Sequence, residues 1–139
     1  MRMEKTMRRT LWALLALFAA MGPAAAQSEK IERVIGAQIE AFLADDFERA
    51  FDFASPGIRD VFRTPENFGR MVRQGYPMVW RPDRFRFEAL EEEGGRLRQE
   101  VRITDRAGKA WIADYFMVEV DGAWRIDGVR LREAPGLGA

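Results

Sequence analysis

The run Trp111-Ile112-Ala113-Asp114-Tyr115-Phe116-Met117-Val118-Glu119-Val120-Asp121-Gly122-Ala123-Trp124-Arg125-Ile126 decides the fold of this 139-residue chain. It is rich in β-formers, and Asp121-Gly122 within it is the strongest short signal for a two-residue hairpin turn. Such a turn pairs Val120 with Ala123. Trp111, Ala113, Tyr115, Met117 and Glu119 then share a face with Trp124 and Ile126. Gly128 marks an expected bulge that resets the alternation, so Val129 and Leu131 turn to the same side.

Working outward, Ala107-Gly108 and Gly94-Gly95 mark two further turns. A four-residue loop at the first would put Val101 and Ile103 opposite Trp124. A three-residue loop, Arg106-Ala107-Gly108 with Gly108 left-handed, puts Leu97, Gln99, Val101 and Ile103 beside Trp111, Tyr115 and Trp124. The second register buries the apolar residues of all three strands together and uses glycine where the backbone requires it. The reading is four antiparallel strands at about 84–91, 96–104, 109–120 and 123–132.

This register fixes the reverse of the sheet. It carries Arg98, Glu100, Arg102, Asp114, Arg125 and Asp127, and also Ile112, Phe116 and Val118. The last three form an apolar stripe rimmed by charges such as Arg102 and Arg125, with nothing obvious left to cover it. Exposed stripes of this kind mark interfaces, so the expectation is a homodimer packed through the outer sheet face.

Upstream the period changes. Ile31, Val34, Ile35, Gln38, Ile39 and Phe42 recur at helical spacing, which predicts a helix over about 29–44. Asp45 or Asp46 can cap a second helix carrying Phe47, Ala50, Phe51 and Ala54 inward. Ser55-Pro56 and Thr64-Pro65 are two more helix starts, a capping hydroxyl followed by proline. They place Ile58, Val61 and Phe62, then Phe68, Met71 and Val72, on inward faces. Helices followed by an antiparallel meander give an α+β fold, with the helices on one face of a curved four-stranded sheet.

Ahead of the helices, Arg2, Lys5, Arg8 and Arg9 precede an apolar run from Leu11 to Met21, and Ala24-Ala25-Ala26 follows. This order reads as a secretory signal peptide over 1–26, cleaved before Gln27. The run is too short to span a bilayer, which needs roughly 20 apolar residues. The expectation is a periplasmic or secreted protein, free of the membrane after cleavage. It has one domain over 27–133 and a short flexible tail at 134–139.

Composition narrows the chemistry. The leader holds four of the 22 basic residues and one of the 22 acidic residues, so the remainder carries a net charge of −3. That balance argues against a nucleic-acid partner. The chain has no Cys and no His. Their lack removes Ser-His-Asp and Cys-His nucleophiles, the usual zinc and copper ligand sets, and disulfides. No cofactor and no metal are expected. Glu100 with Asp114 is a weak calcium signal.

Several pieces together resemble the secreted bacterial domain of unknown function 4864, within the nuclear transport factor 2-like superfamily. They are Ala54-Ser55-Pro56-Gly57-Ile58-Arg59, Met71-Val72-Arg73-Gln74-Gly75-Tyr76-Pro77, Gln99-Glu100-Val101 and Trp124-Arg125-Ile126-Asp127-Gly128-Val129. The resemblance covers about residues 30–132 and implies a cone-shaped α+β fold with a cavity between the helices and the concave sheet face. It lends no catalytic residue.

The candidate cavity comprises Gln38, Tyr76, Gln99, Trp111, Tyr115 and Trp124. Two of these are amides among apolar neighbours. They must bond each other or the backbone, or else point at a small apolar ligand between aromatic walls. Tyr76 to Pro82 is read as a connection that roofs the mouth or packs Met78 and Trp80. Enzymes on the fold that the resemblance implies include isomerases that pair a pocket carboxylate as base with a tyrosine as oxyanion donor. Here Asp114 falls on the outer face and Glu119 on the rim, so Tyr115 lacks a base, and no catalytic residue is assigned. The favoured function is a non-catalytic ligand-binding or accessory domain. The alternatives are an isomerase- or dehydratase-type enzyme using Tyr115, and a structural module of the cell envelope.

Overall fold

A computed structural model describes residues 22–136 of the chain. Five helices precede the sheet: α1 (Pro23–Leu43), α2 (Phe47–Asp52), α3 (Pro56–Phe62), α4 (Pro65–Gly75) and α5 (Pro77–Trp80). Strands β1 (Arg84–Glu93), β2 (Arg96–Thr104), β3 (Ala110–Val120) and β4 (Ala123–Glu133) follow, antiparallel and in that order across one sheet. The fold is α+β.

The helices start where their caps dictate. Asp46, Ser55 and Thr64 each accept a bond from the backbone N–H three residues on, at Arg49, Ile58 and Asn67. Asp45, the other capping candidate, instead adopts a positive φ of 54° and turns the chain between α1 and α2. The segment expected to be a loop at Tyr76–Pro82 contains the single turn of α5. Val79 is its buried residue, whereas Met78 and Trp80 are half-buried. Trp80 donates its indole N–H to Asp45 at 2.9 Å, and Arg81 spans the same corner with a 2.8 Å ion pair to Asp45.

The basic start and apolar run of the leader lie outside the described residues. Helix α1 begins at Pro23, six residues before its expected start, and passes through the expected cleavage point with residues 23–26 exposed. Among the described residues no helix is long and apolar enough to cross a membrane.

The sheet register follows the turns. Asp121 and Gly122 both have positive φ, so the hairpin is a type I′ turn and Val120 faces Ala123. Gly108 has φ +86°, and Ile103 faces Trp111 and Gln99 faces Tyr115. The β4 bulge is real. Met117 faces Ile126 while Phe116 faces Gly128, which leaves Asp127 as the extra residue. A second bulge lies in β1, where Phe87 faces Val101 but Leu90 faces Gln99.

The core forms where α1 packs on the inner sheet face. Ile31, Ile35, Ile39 and Phe42 meet Val101, Ile103, Ala113, Tyr115, Met117 and Ile126, all buried. Each of the Ile, Val, Phe and Met side chains among them contributes about 1.5–3 kcal/mol by leaving water. The outer edge of β4 is partly covered, because Ile126 N–H bonds Phe53 C=O and Ser55 N–H bonds Ile126 C=O. This short parallel bridge holds α2 and α3 against the sheet and shields an otherwise open strand edge.

Candidate functional site

Helices α1, α3, α4 and α5 do not close fully over β4. Between them lies a partly enclosed pocket of about 220 Å³. Phe42 and Gln38 come from α1, Ile58 and Phe62 from α3, Phe68, Met71 and Val72 from α4, and Ile126, Gly128 and Val129 from β4. Ala54, Tyr76 and Val79 complete the wall. The lining is apolar except for two side chains, Gln38 and Tyr76. The short capped helices α3 and α4 supply five of its large side chains, and Phe62 and Phe68 pack edge-on with ring centres 5.8 Å apart.

Helix α3 is the thinnest part of the wall. None of its residues is fully buried, and Val61 is exposed beside Phe62. The helix is held at both ends. At the start, the Ser55 hydroxyl donates to Asp127 Oδ1 at 2.7 Å while capping Ile58. At the end, Arg63 adopts φ 69° and ψ −41°, and Thr64 N–H closes a three-residue turn onto Phe62 C=O. This γ-turn geometry is rare and strained for a non-glycine residue.

Of the six expected cavity residues, Gln38 and Tyr76 line this pocket. Gln38 Nε2 donates to Ala50 C=O at 3.1 Å, which ties α1 to α2, and the Tyr76 hydroxyl donates to Val129 C=O at 3.3 Å. Gln99, Trp111, Tyr115 and Trp124 are not among its lining residues. Gln99 points instead at the β1 bulge, donating to the carbonyls of Glu88 and Glu100, each at 3.0 Å. The bulge releases carbonyls that regular pairing would satisfy, and a buried amide is the group that answers them. Tyr115 is sealed in the core, and burial alone pushes its hydroxyl pKa far up. Trp111 is tethered at the sheet end by its indole N–H on Asp105 Oδ2 at 3.0 Å, with Lys109 over the ring. Trp124 packs half-buried on the core, next to the hairpin turn. The pocket wall thus comes mainly from helix residues that pattern alone marked only as core. Clustered Ser-Pro and Thr-Pro starts were the available signal, since short helices fill space poorly.

The outer sheet face departs from the expected open stripe. Ile112 and Phe116 are buried within the single chain. Arginine side chains cover Phe116. Arg96 and Arg130 lie over the Phe116 ring at 4.5 and 5.2 Å, and their stems shield apolar surface while their heads stay near water. Val118 remains half-buried, and so do Arg102 and Arg125. The apolar warrant for a dimer through this face is therefore largely met by the chain itself.

On the same face sits Asp114, wholly buried. Of the three arginines that simple alternation places near it, Arg98 reaches its carboxylate, whereas Arg102 and Arg125 do not. The β4 bulge brings Arg130 opposite it, and Arg130, Arg132 and Arg98 reach its carboxylate at 3.2, 3.0 and 3.1 Å. Burial pushes the Asp114 pKa up, but the hydrogen bonds and charges of Arg132, Arg98 and Arg130 outweigh it and hold it below the ordinary value. Glu100 joins through Arg98 and Arg132 at 2.8 and 3.1 Å. The cations that Glu100 and Asp114 hold are guanidinium groups, and no acidic cluster suited to a metal occurs among the described residues.

The family described as "Domain of unknown function (DUF4864)" matches residues 24–139. A crystal structure of an NTF-2-like protein of unknown function from Burkholderia xenovorans LB400 is similar, with 19% identity and a TM-score of 0.47 over 81% of this chain and 88% of that one. Among curated proteins no match is found.

Proposed function

We propose that this chain, which belongs to the DUF4864 family, is an exported accessory domain. It binds a small apolar molecule between its helices and β4 without transforming it. The observation that carries this reading is the pocket of about 220 Å³ walled by Phe42, Phe62, Phe68, Met71 and Val129. An engineered cavity of about 150 Å³ with comparable walls holds benzene, so the space suits a substituted ring or a short chain.

The chemistry of the walls favours binding over turnover. The lining contains no carboxylate. The nearest candidates for a base are remote in function: Asp114 lies on the other sheet face under three guanidinium groups, and Glu119 is exposed at the rim. A general base must come within hydrogen-bond reach of the proton it takes. Export rests on the N-terminal basic residues, the apolar run and Ala24-Ala25-Ala26. Cleavage before Gln27 would take only exposed residues from the described part of α1 and leave Ile31 and the core intact.

The test is methyl NMR of the mature domain titrated with propylbenzene. Shifts confined to Met71, Val72, Val129 and their neighbours are expected, and Val129→Trp should abolish them. Saturation with no change at any of these methyls would refute the proposal.

A further inference from the structure

The two polar groups in the pocket share one hydrogen-bonding sense. Gln38 is 3% exposed, and its Nε2 is committed to Ala50 C=O. Turning the amide over would set two carbonyl oxygens against each other, so the orientation is fixed and Oε1 is the free end. Among the described residues no donor reaches that oxygen. It is also absent from the sealed, unpartnered atoms of the core, which are Arg98 Nε, Gln99 Oε1 and Tyr115 Oη. The Tyr76 hydroxyl spends its single proton on Val129 C=O, which leaves its oxygen able only to accept.

Resting on the reading of the pocket as a ligand site, we propose that its natural ligand is an uncharged apolar molecule bearing a hydroxyl or comparable N–H or O–H donor. Gln38 Oε1 receives that proton, and the Tyr76 hydroxyl, its own proton committed to Val129 C=O, offers no donor to a competing acceptor. The argument is one of complementarity. A pure hydrocarbon fills the walls but leaves a buried amide oxygen without a donor. A carboxylate presents more acceptors to two acceptors and finds no cation in the lining. An ammonium group finds no carboxylate there and would be buried without a counter-charge. A neutral alcohol or phenol satisfies the oxygen and buries its carbon skeleton against Phe42, Phe62 and Phe68.

The experiment titrates the mature domain with 4-propylphenol, propylbenzene and 4-ethylbenzoate, followed by the methyl shifts of Met71, Val72 and Val129. The phenol is expected to bind about three- to tenfold tighter than the hydrocarbon, the yield of one added hydrogen bond. The benzoate is expected to bind more weakly than either. In Gln38→Met the hydrocarbon should still bind and the phenol should lose its advantage. Equal binding of phenol and hydrocarbon to the wild type, or tighter binding of the benzoate, overturns the donor rule while leaving the pocket a ligand site. Failure of all three to bind overturns both. Because the comparison of ligands uses the wild-type protein, it holds even if Gln38→Met does not fold.

Discussion

Gln99 and Tyr115 face each other across β2 and β3, both fully buried, yet neither Gln99 Oε1 nor Tyr115 Oη has a hydrogen-bonding partner among the described residues. The amide is oriented by its N–H groups on the β1 bulge, so its oxygen is not free to seek the tyrosine. A buried hydroxyl without a partner costs about 1–3 kcal/mol. Tyr115→Phe should therefore leave stability unchanged or raise it by up to about 1 kcal/mol in urea unfolding. A loss larger than that would show that the hydroxyl bonds something in solution.

Asp114 makes the opposite case. Its pKa is depressed in the folded state, so its contribution is complete above the unfolded-state value of about 4 and disappears as pH falls through the folded-state value. Thermal stability should hold against this group down to about pH 4 and then decline. Asp114→Asn should lower stability at pH 7 by about 2–3 kcal/mol and flatten the acid limb. That is less than for a fully buried pair, because Arg130 and Arg132 stay about half in water. An unchanged acid limb in the variant would count against the network.

Ser55 performs two tasks with one oxygen. It caps α3 by accepting from Ile58 N–H, and it donates to Asp127 Oδ1. Ser55→Ala should cost about 1–2 kcal/mol. The loss should be local first, with the amides of α3 exchanging with deuterium faster than those of α1. Uniform acceleration across both helices would contradict this.

Gly69 is where α4 crosses Phe47. A Cβ at this position would lie 2.7 Å from the ring, so Gly69→Ala forces Phe47 to move. Alanine gains about 1 kcal/mol in helix propensity, while overpacking costs about 1–3 kcal/mol. A net loss of up to about 2 kcal/mol is expected in denaturant unfolding. A stabilised variant would mean that the ring shifts freely.

The sheet was legible from sequence because its turns carry their own geometry. Asp121-Gly122 and Gly108 supply positive φ where the strands need it, and Gly128 marks the bulge. The helix starts were legible for the same local reason, at Asp46, Ser55 and Thr64. The β1 bulge was not, since neither Glu88 nor Ala89 has a conformational preference that demands it. Without that bulge Gln99 reads as a pocket amide. The pocket was only half legible: Gln38 and Tyr76 belong to it, whereas its aromatic wall depends on how three short helices stack. Arginines lying along Phe116 were equally hidden, because nothing in periodicity tells whether a long side chain folds down or extends into water.

Asp127 owes its reach to the pairing defect in β4. As the extra residue it escapes the strict alternation of the strand, and its two carboxylate oxygens point to different partners: one to Ser55 at the base of α3, the other to Arg96 at 2.9 Å, which lies across Phe116. A single side chain thus stitches the pocket's thinnest wall to the guanidinium layer on the far surface. Deleting one residue here would restore a regular pleat and sever both stitches at once, so an apparent irregularity is the joint by which the two sides of the sheet are mechanically one.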